Sequence, residues 1–137
     1  MQIVLPVERT LTPSDHQRVA RLLAQQRDPA ASEALQDLLE TSDVLAGAVP
    51  VSLVTLGSRV LLQDAERAGA PYQLMLCDPA EARPAEGSVS VLSPVGASLL
   101  GLSAGQVARW RTPDEREGAA LILAVLHQPS TRAPEAG

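Results

Sequence analysis

The chain has few of the residues on which many binding sites depend. It contains no lysine and no phenylalanine, and only one cysteine, one tyrosine and one tryptophan. A phosphate-binding loop of the Walker type requires a lysine, so nucleotide binding of that kind is excluded. The lone Cys77 cannot form an internal disulfide or a zinc site by itself. We expect it to fill space in the core of a protein kept in a reducing compartment.

Long apolar runs and a basic surface are also missing. The longest apolar run, residues 119–126, is too short to span a bilayer, so we expect a cytoplasmic protein that does not contact membranes. The net charge of −5 disfavours direct, sequence-specific nucleic-acid binding, which relies on a positive surface. A hydrophobic content of 45% over 137 residues is enough for one folded domain with an appendage.

Residues 12–46 carry apolar side chains at helical spacing. The segment Thr12–Asp15 resembles a capping box, with a cap, a proline at the first helical position and an acid three residues after the cap. The first helix then extends to about Gln26. Residues 27–32 interrupt the pattern at Pro29, and a second helix opens near Ser32. The pattern predicts an antiparallel hairpin of two helices, each about 21 Å long.

From residue 51 onward, short apolar stretches alternate with glycine and proline. We predict five strands, at Ser58–Gln63, Tyr72–Cys77, Ser88–Leu92, Val107–Arg111 and Ala119–His127. Between the third and fourth strands, Ser93 suits a helix N-cap, Pro94 suits the first helical position and Gly101 suits the end. The predicted fold class is α+β: a helical hairpin followed by an antiparallel sheet that wraps around one short helix.

The order of these residues resembles a known family. The segments "LGSRVLLQD" and "YQLMLCDPAEARPAEGSVSVLSPVGASLLGLSAGQV" are similar to the C-terminal domain of the Gre transcript-cleavage factors. They are more similar still to the Rnk-type regulators of nucleoside diphosphate kinase. The resemblance covers roughly residues 53–128 and implies an FKBP-like fold. We expect an N-terminal segment with the hairpin at residues 1–48, the FKBP-like domain at 49–129 and a flexible tail at 130–137.

The resemblance also implies a contact surface. In Gre factors, the loop and helix start at Ser-Pro help to dock the domain on the rim of the secondary channel of RNA polymerase. The residues that correspond to this contact are Leu92, Ser93, Pro94, Val95 and Gly96. Leu92 departs from Gre factors, which often have a polar or acidic residue there. Ser93 and Pro94 equally suit a helix start that has no docking role, and Gly96 suits close packing of the helix on the sheet.

The hairpin tip differs from that of Gre factors, which place two acids at the end of a long coiled coil to help hold a metal ion in the polymerase active site. Here the tip consists of Arg27, Asp28 and Pro29. Mg²⁺ is a hard cation that takes oxygen ligands, and one carboxylate beside a cation is a poor carrier for it. We therefore expect Asp28 to be a turn residue. The expected protein is a polymerase-binding regulator that has no catalytic residue, metal or cofactor and that competes with Gre factors.

Two other readings of the residues stay open. The domain can be an FKBP-like interaction module that does not bind polymerase, with Leu92 and Val95 in its core or in a self-association surface. Less favoured is a prolyl isomerase, because such a pocket needs aromatic walls and only Tyr72 and Trp110 are available. No other catalytic pattern is present: the two histidines have no cysteine or carboxylate at the spacing of a metal site.

Overall fold

A computed structural model describes residues 8–112 and 114–129 of the chain. The tail expected at residues 130–137 lies outside these ranges. The helices are α1 (Pro13–Gln25), α2 (Pro29–Thr41) and α3 (Pro94–Leu99). The strands are β1 (Thr10–Leu11), β2 (Asp43–Val44), β3 (Arg59–Asp64), β4 (Tyr72–Cys77), β5 (Ser88–Ser90), β6 (Val107–Arg111) and β7 (Glu117–His127). Within the described ranges, the chain has no helix that combines the length and the apolar character needed to cross a membrane.

Helices α1 and α2 form the predicted hairpin, but the turn between them is shorter than expected. The start of α1 is confirmed, since the amide of Asp15 donates a hydrogen bond to Thr12 Oγ1 at 3.0 Å. The predicted start of α2 near Ser32 is wrong, because the helix begins at Pro29 with Asp28 as its N-cap. Proline fits the first helical position, because a backbone N–H there has no intrahelical acceptor and its absence loses no hydrogen bond. Pro29 therefore begins the second helix instead of separating the two helices.

The end of the hairpin also differs from the prediction. The sequence pattern predicts helix up to about residue 46, but α2 ends at Thr41. Strand β2 follows and pairs in parallel with β1, with Thr10 opposite Asp43 and Leu11 opposite Val44. Two-residue strands have no periodicity that a sequence could reveal, and their pairing is decided by the packing around them. This small sheet joins the two ends of the hairpin.

The main sheet has the strand order β5-β4-β3-β7-β6. Strand β3 pairs antiparallel with β4 and β7, and β6 pairs antiparallel with β7. The α+β class with an antiparallel-dominated sheet is confirmed, and the bounds of β4 and β6 are those predicted. One edge departs from the expectation, because β5 pairs in parallel with β4. The link between them contains two 3-10 turns, Pro79–Glu81 and Pro84–Glu86, after which Ser88 lies opposite Met75 in the second half of β4.

Helix α3 lies against the sheet, and one hydrophobic core joins the hairpin to it. The hairpin region contributes Leu11, Val19, Leu22, Leu35 and Leu38 to this cluster. The sheet domain contributes Val54, Val60, Leu62, Leu76, Val91, Leu99, Leu100, Leu102, Ala108, Ala120 and Ile122. Burying one leucine or valine side chain is worth about 1.5–3 kcal/mol, so the hairpin base is held firmly on the domain. Cys77 is buried, as expected, and burial raises the pKa of its thiol.

Candidate functional site

The turn at Leu92–Gly96 begins α3 and is held by the hydroxyl of Ser93. This hydroxyl donates a hydrogen bond to the carbonyl of Ser90 at 2.7 Å and accepts one from the amide of Gly96 at 3.1 Å. The predicted N-cap is therefore confirmed. Leu92, Ser93, Pro94 and Val95 are half-buried, whereas Gly96 is buried. The exposed part of the turn thus comes from the first four residues of the set.

Gly96 allows α3 to approach the sheet closely. A Cβ atom at this position would lie 2.0 Å from the carbonyl oxygen of Ser90 and 2.8 Å from its carbon. Both distances are far shorter than a van der Waals contact, and the obstacle is backbone that cannot rotate away. Any larger residue would have to push α3 off β5. The close packing expected of Gly96 is confirmed, so this residue fixes how closely the turn lies on β5.

The other end of α3 is held by Arg9, a residue that the sequence pattern does not indicate as part of the site. Its Nη1 donates to the carbonyl oxygens of Ala97, Ser98 and Leu100 at 3.3, 3.1 and 2.8 Å. Burial lowers the pKa of the Arg9 guanidinium. The partners lie 88 to 91 positions away in the chain. No local pattern could have revealed this contact.

A cleft of about 340 Å³ opens between α2, α3 and β6, beside the turn. Its walls include Arg9, Pro94 and Trp110. The indole of Trp110 lies over Gly118, its partner in the β6–β7 register, where a Cβ atom would be 2.4 Å from the ring. Tyr72 begins β4, which β3 and β7 separate from β6. The structure therefore does not bring Tyr72 and Trp110 together as walls of one aromatic pocket.

A second groove, of about 600 Å³, runs between α1 and the sheet domain. Two polar contacts cross it. Asp15 Oδ2 accepts a hydrogen bond from the amide of Leu56 at 3.2 Å, and Arg18 Nε donates to Asp78 Oδ1 at 2.5 Å. Burial raises the pKa of Asp15, and the hydrogen bond from Leu56 opposes this shift. The hydrogen bond from Arg18 lowers the pKa of Asp78. The hairpin is thus joined to the domain by a buried acid and a half-exposed ion pair.

The hairpin tip is exposed, and its carboxylate has a structural partner. Asp28 Oδ2 accepts a hydrogen bond from the amide of Ala31 at 3.2 Å, and the amide of Asp28 donates to Gln26 Oε1 at 3.2 Å. Arg27 is exposed beside it. Over residues 8–112 and 114–129, the structure has no group of three or more His, Cys, Asp or Glu side chains that could hold a metal ion. Asp28 is therefore a helix cap at the turn.

Comparisons with known proteins identify the family. Residues 49–126 match the family "Transcription elongation factor, GreA/GreB, C-term". The structure of a prokaryotic transcription elongation factor GreA/GreB from Nitrosomonas europaea is similar with a TM-score of 0.71 and 25% identity, over 89% of this chain and 100% of that one. GreA factor homolog 1 of Thermus thermophilus gives a TM-score of 0.48 and 22% identity, over 88% of this chain and 99% of that one. A comparison with curated proteins gave no match. Because the family match spans more than half of the chain and the sheet domain has the Gre C-terminal fold, the protein belongs to the Gre family of transcription elongation factors.

Proposed function

We propose that this protein binds RNA polymerase at the rim of the secondary channel and regulates transcription without supplying transcript-cleavage chemistry, as a Rnk-type member of the Gre family. The observation that supports the proposal is the family match over residues 49–126, which includes all of Leu92–Gly96, the segment that we call the docking turn. The protein acts in the cytoplasm, beside the polymerase. It has no catalytic reaction of its own and needs no cofactor.

The docking turn is the contact surface in this proposal. The Ser93 hydroxyl caps α3 through the amide of Gly96, so the backbone of the turn is already ordered before binding. Such pre-organisation lowers the entropy cost of association. Leu92, Pro94 and Val95 stay half-buried and offer apolar surface beside the helix start. Leucine in place of a polar residue makes this contact more apolar than that of a typical Gre factor.

The hairpin supports the absence of cleavage activity. Each helix has 13 residues, or about 20 Å at 1.5 Å per residue. At the tip, the carboxylate of Asp28 caps α2 and lies next to the exposed cation of Arg27. A Mg²⁺ ion prefers several oxygen ligands, and this tip presents a single carboxylate that is already engaged. Bound at the rim, the protein would compete with Gre factors and would not replace them.

One observation favours the interaction module that does not bind polymerase. Leu92 and Val95 pack partly against the hydrophobic core. Their apolar character is therefore explained in part by folding alone. In this second candidate, the fold is retained and the turn is simply a capped helix start. A direct binding measurement separates the two candidates.

The test is the affinity of the purified protein for core RNA polymerase, measured for the wild type and for Pro94→Asp. An acid at the first helical position is favourable near the helix N-terminus, so α3 should stay folded in this variant. The matched control is Pro84→Asp, the same change at an exposed proline that begins a 3-10 turn. We expect micromolar or tighter binding that Pro94→Asp abolishes, that Pro84→Asp leaves unchanged and that a Gre factor displaces. A folded wild type that does not bind polymerase would support the interaction module instead.

The second half of the proposal is tested on a backtracked elongation complex. Adding the protein should leave the intrinsic rate of transcript cleavage unchanged, whereas a Gre factor in the same assay should accelerate it. Cleavage that the wild type stimulates and that Asp28→Asn removes would show that the tip acts chemically. Asparagine is as good an N-cap as aspartate, so this variant retains the helix start and changes only the charge.

A further inference from the structure

We propose that Arg9, which lies outside the family-matched residues 49–126, is a positioning residue for the docking turn: it holds α3 by its C-terminal carbonyls and so sets the placement of Ser93–Val95 at the other end. This inference rests on the docking role assigned to the turn above. It adds a requirement that the C-terminal domain alone does not meet. Polymerase binding would then depend on a residue that precedes the hairpin.

Helix α3 needs support at both ends. It has six residues, far fewer than an isolated helix needs to be stable in water. The last carbonyl groups of a helix have no partner within it. Arg9 Nη1 contacts three carbonyl oxygens in this region, those of Ala97, Ser98 and Leu100. A cation at this end also complements the negative end of the helix dipole.

Arg9 is itself held by the hairpin base. Its carbonyl accepts a hydrogen bond from the amide of Asp43 at 3.0 Å, next to the pairing of β1 with β2. The amide of the following residue, Thr10, donates to the carbonyl of Gly101 at 2.9 Å, two residues after the end of α3. The backbone at Arg9 is therefore fixed on both sides. The hairpin base, Arg9 and α3 form a continuous chain of contacts.

Movement at the C-terminal end of α3 would change the position of its N-terminal end. The helix spans about 9 Å from Pro94 to Leu99 at 1.5 Å per residue. Its middle is pinned closely on β5 at Gly96, where the distance to Ser90 leaves no room for a Cβ atom. Without the Arg9 hydrogen bonds, the C-terminal end keeps the packing of Leu99 and Leu100 and the backbone hydrogen bonds of Gly101, and α3 can tilt more freely about Gly96. Such a tilt would move Pro94 and Val95 at the docking end.

The first experiment measures the affinity for polymerase of Arg9→Gln and Arg9→Lys. Glutamine removes the charge, whereas lysine retains it but lacks the planar set of donors. Losing charge-assisted hydrogen bonds should weaken binding about tenfold in Arg9→Gln, and Arg9→Lys should stay within about threefold of the wild type. The matched control is Arg67→Gln, at an exposed arginine between β3 and β4, which should bind as the wild type does. Wild-type affinity in a folded Arg9→Gln would overturn the proposal.

A double-mutant cycle separates positioning from a general loss of stability. If Arg9 acts through the turn, its loss should matter little once the turn is already impaired by Pro94→Ala. We expect Arg9→Gln to weaken binding by less than about twofold in that background, against about tenfold in the wild type. Fully additive losses would show that Arg9 does not act through Pro94 and would overturn the proposal. If Arg9→Gln does not fold, the same cycle is run with Arg9→Met, which keeps an apolar stem and lacks every hydrogen-bond donor, and the same two outcomes apply.

A third readout does not involve polymerase. The amides of Ala97 and Leu100 are hydrogen-bonded within α3, so their hydrogen exchange reports how well the helix is held. Exchange at these two amides should be faster in Arg9→Gln than in the wild type and unchanged in Arg67→Gln. A wild type that fails to bind polymerase would refute the proposed function while leaving this readout intact. Unchanged exchange in Arg9→Gln would refute the role of Arg9 itself.

Discussion

Asp15 and Leu56 lie 41 positions apart, yet Asp15 Oδ2 accepts a hydrogen bond from the Leu56 amide at 3.2 Å. The sequence pattern predicts that Asp15 completes a capping box at the start of α1. Thr12 does cap the amide of Asp15, but the carboxylate of Asp15 reaches across to the sheet domain. A residue with the features of a local cap therefore joins the hairpin to the domain.

The burial of Asp15 predicts a specific pH dependence of stability. Its pKa in the folded protein is raised above the ordinary value of 3.8 by burial, so the native state holds this proton at pH values where the unfolded chain has lost it. Asp15 therefore destabilises the folded protein at neutral pH, where its buried carboxyl must be ionised or hold a proton against solution. As the pH falls through the raised pKa, this penalty is relieved and the free energy of unfolding increases. Asp15→Asn retains an oxygen acceptor for the Leu56 amide and has no titrating group, so it should remove this pH dependence of stability. Urea unfolding of both proteins from pH 7 down to about pH 4 checks it, and an identical pH slope would contradict it.

The pair of Arg18 and Asp78 predicts a shift of opposite sign. The hydrogen bond from Arg18 lowers the pKa of Asp78, so the favourable contribution of this carboxylate is present at neutral pH and is lost as the pH falls through the lowered pKa. Arg18→Gln should bring the pKa of Asp78 back toward its ordinary value. NMR titration of the Asp78 carboxyl carbon measures this directly. Arg21→Gln, at an exposed arginine of the same helix, should leave the titration unchanged.

The close approach of α3 to β5 predicts that even an alanine at position 96 strongly destabilises the protein. In Gly96→Ala, the new methyl group would lie 2.0 Å from the Ser90 carbonyl oxygen. Overpacking of this kind should lower the free energy of unfolding by about 3 kcal/mol. The control is Gly69→Ala, where no atom lies within 4 Å of the new methyl group. Urea denaturation of both variants tests the prediction, and equal stability would contradict the packing role of Gly96.

The N-cap at the hairpin tip predicts that Asp28 stabilises the protein through its hydrogen bond and not through its charge. Asp28→Ala removes the acceptor for the Ala31 amide and should cost about 1 kcal/mol of stability. Asp28→Asn can still cap the helix and should cost much less. Thermal unfolding compares the two variants. A destabilisation of the same size in both would show that the charge of Asp28, and not its cap hydrogen bond, supports the turn.

Much of the fold could be predicted because its signals are local. The N-caps at Thr12 and Ser93, the bounds of β4 and β6 and the α3 helix follow from capping residues and periodicity. The sequence pattern predicts the start of α2 three residues too late, because Pro29 is typical of a break between helices but also fits the first turn of a helix. Strands of two residues, such as Asp43–Val44, have no periodicity to detect.

The family, the hairpin, the approximate positions of the five strands of the main sheet and the capped turn at Ser93 can be predicted from the order of residues alone, since these features depend on residues close together in the chain. In contrast, the contact of Arg9 with α3, the hydrogen bond between Asp15 and Leu56 and the parallel pairing of β5 with β4 become evident only in the folded molecule. The contacts of Arg9 and Asp15 join segments that are distant in the chain and that only packing brings together. A single buried polar contact has no repeat or characteristic spacing along the chain, so no sequence pattern predicts it.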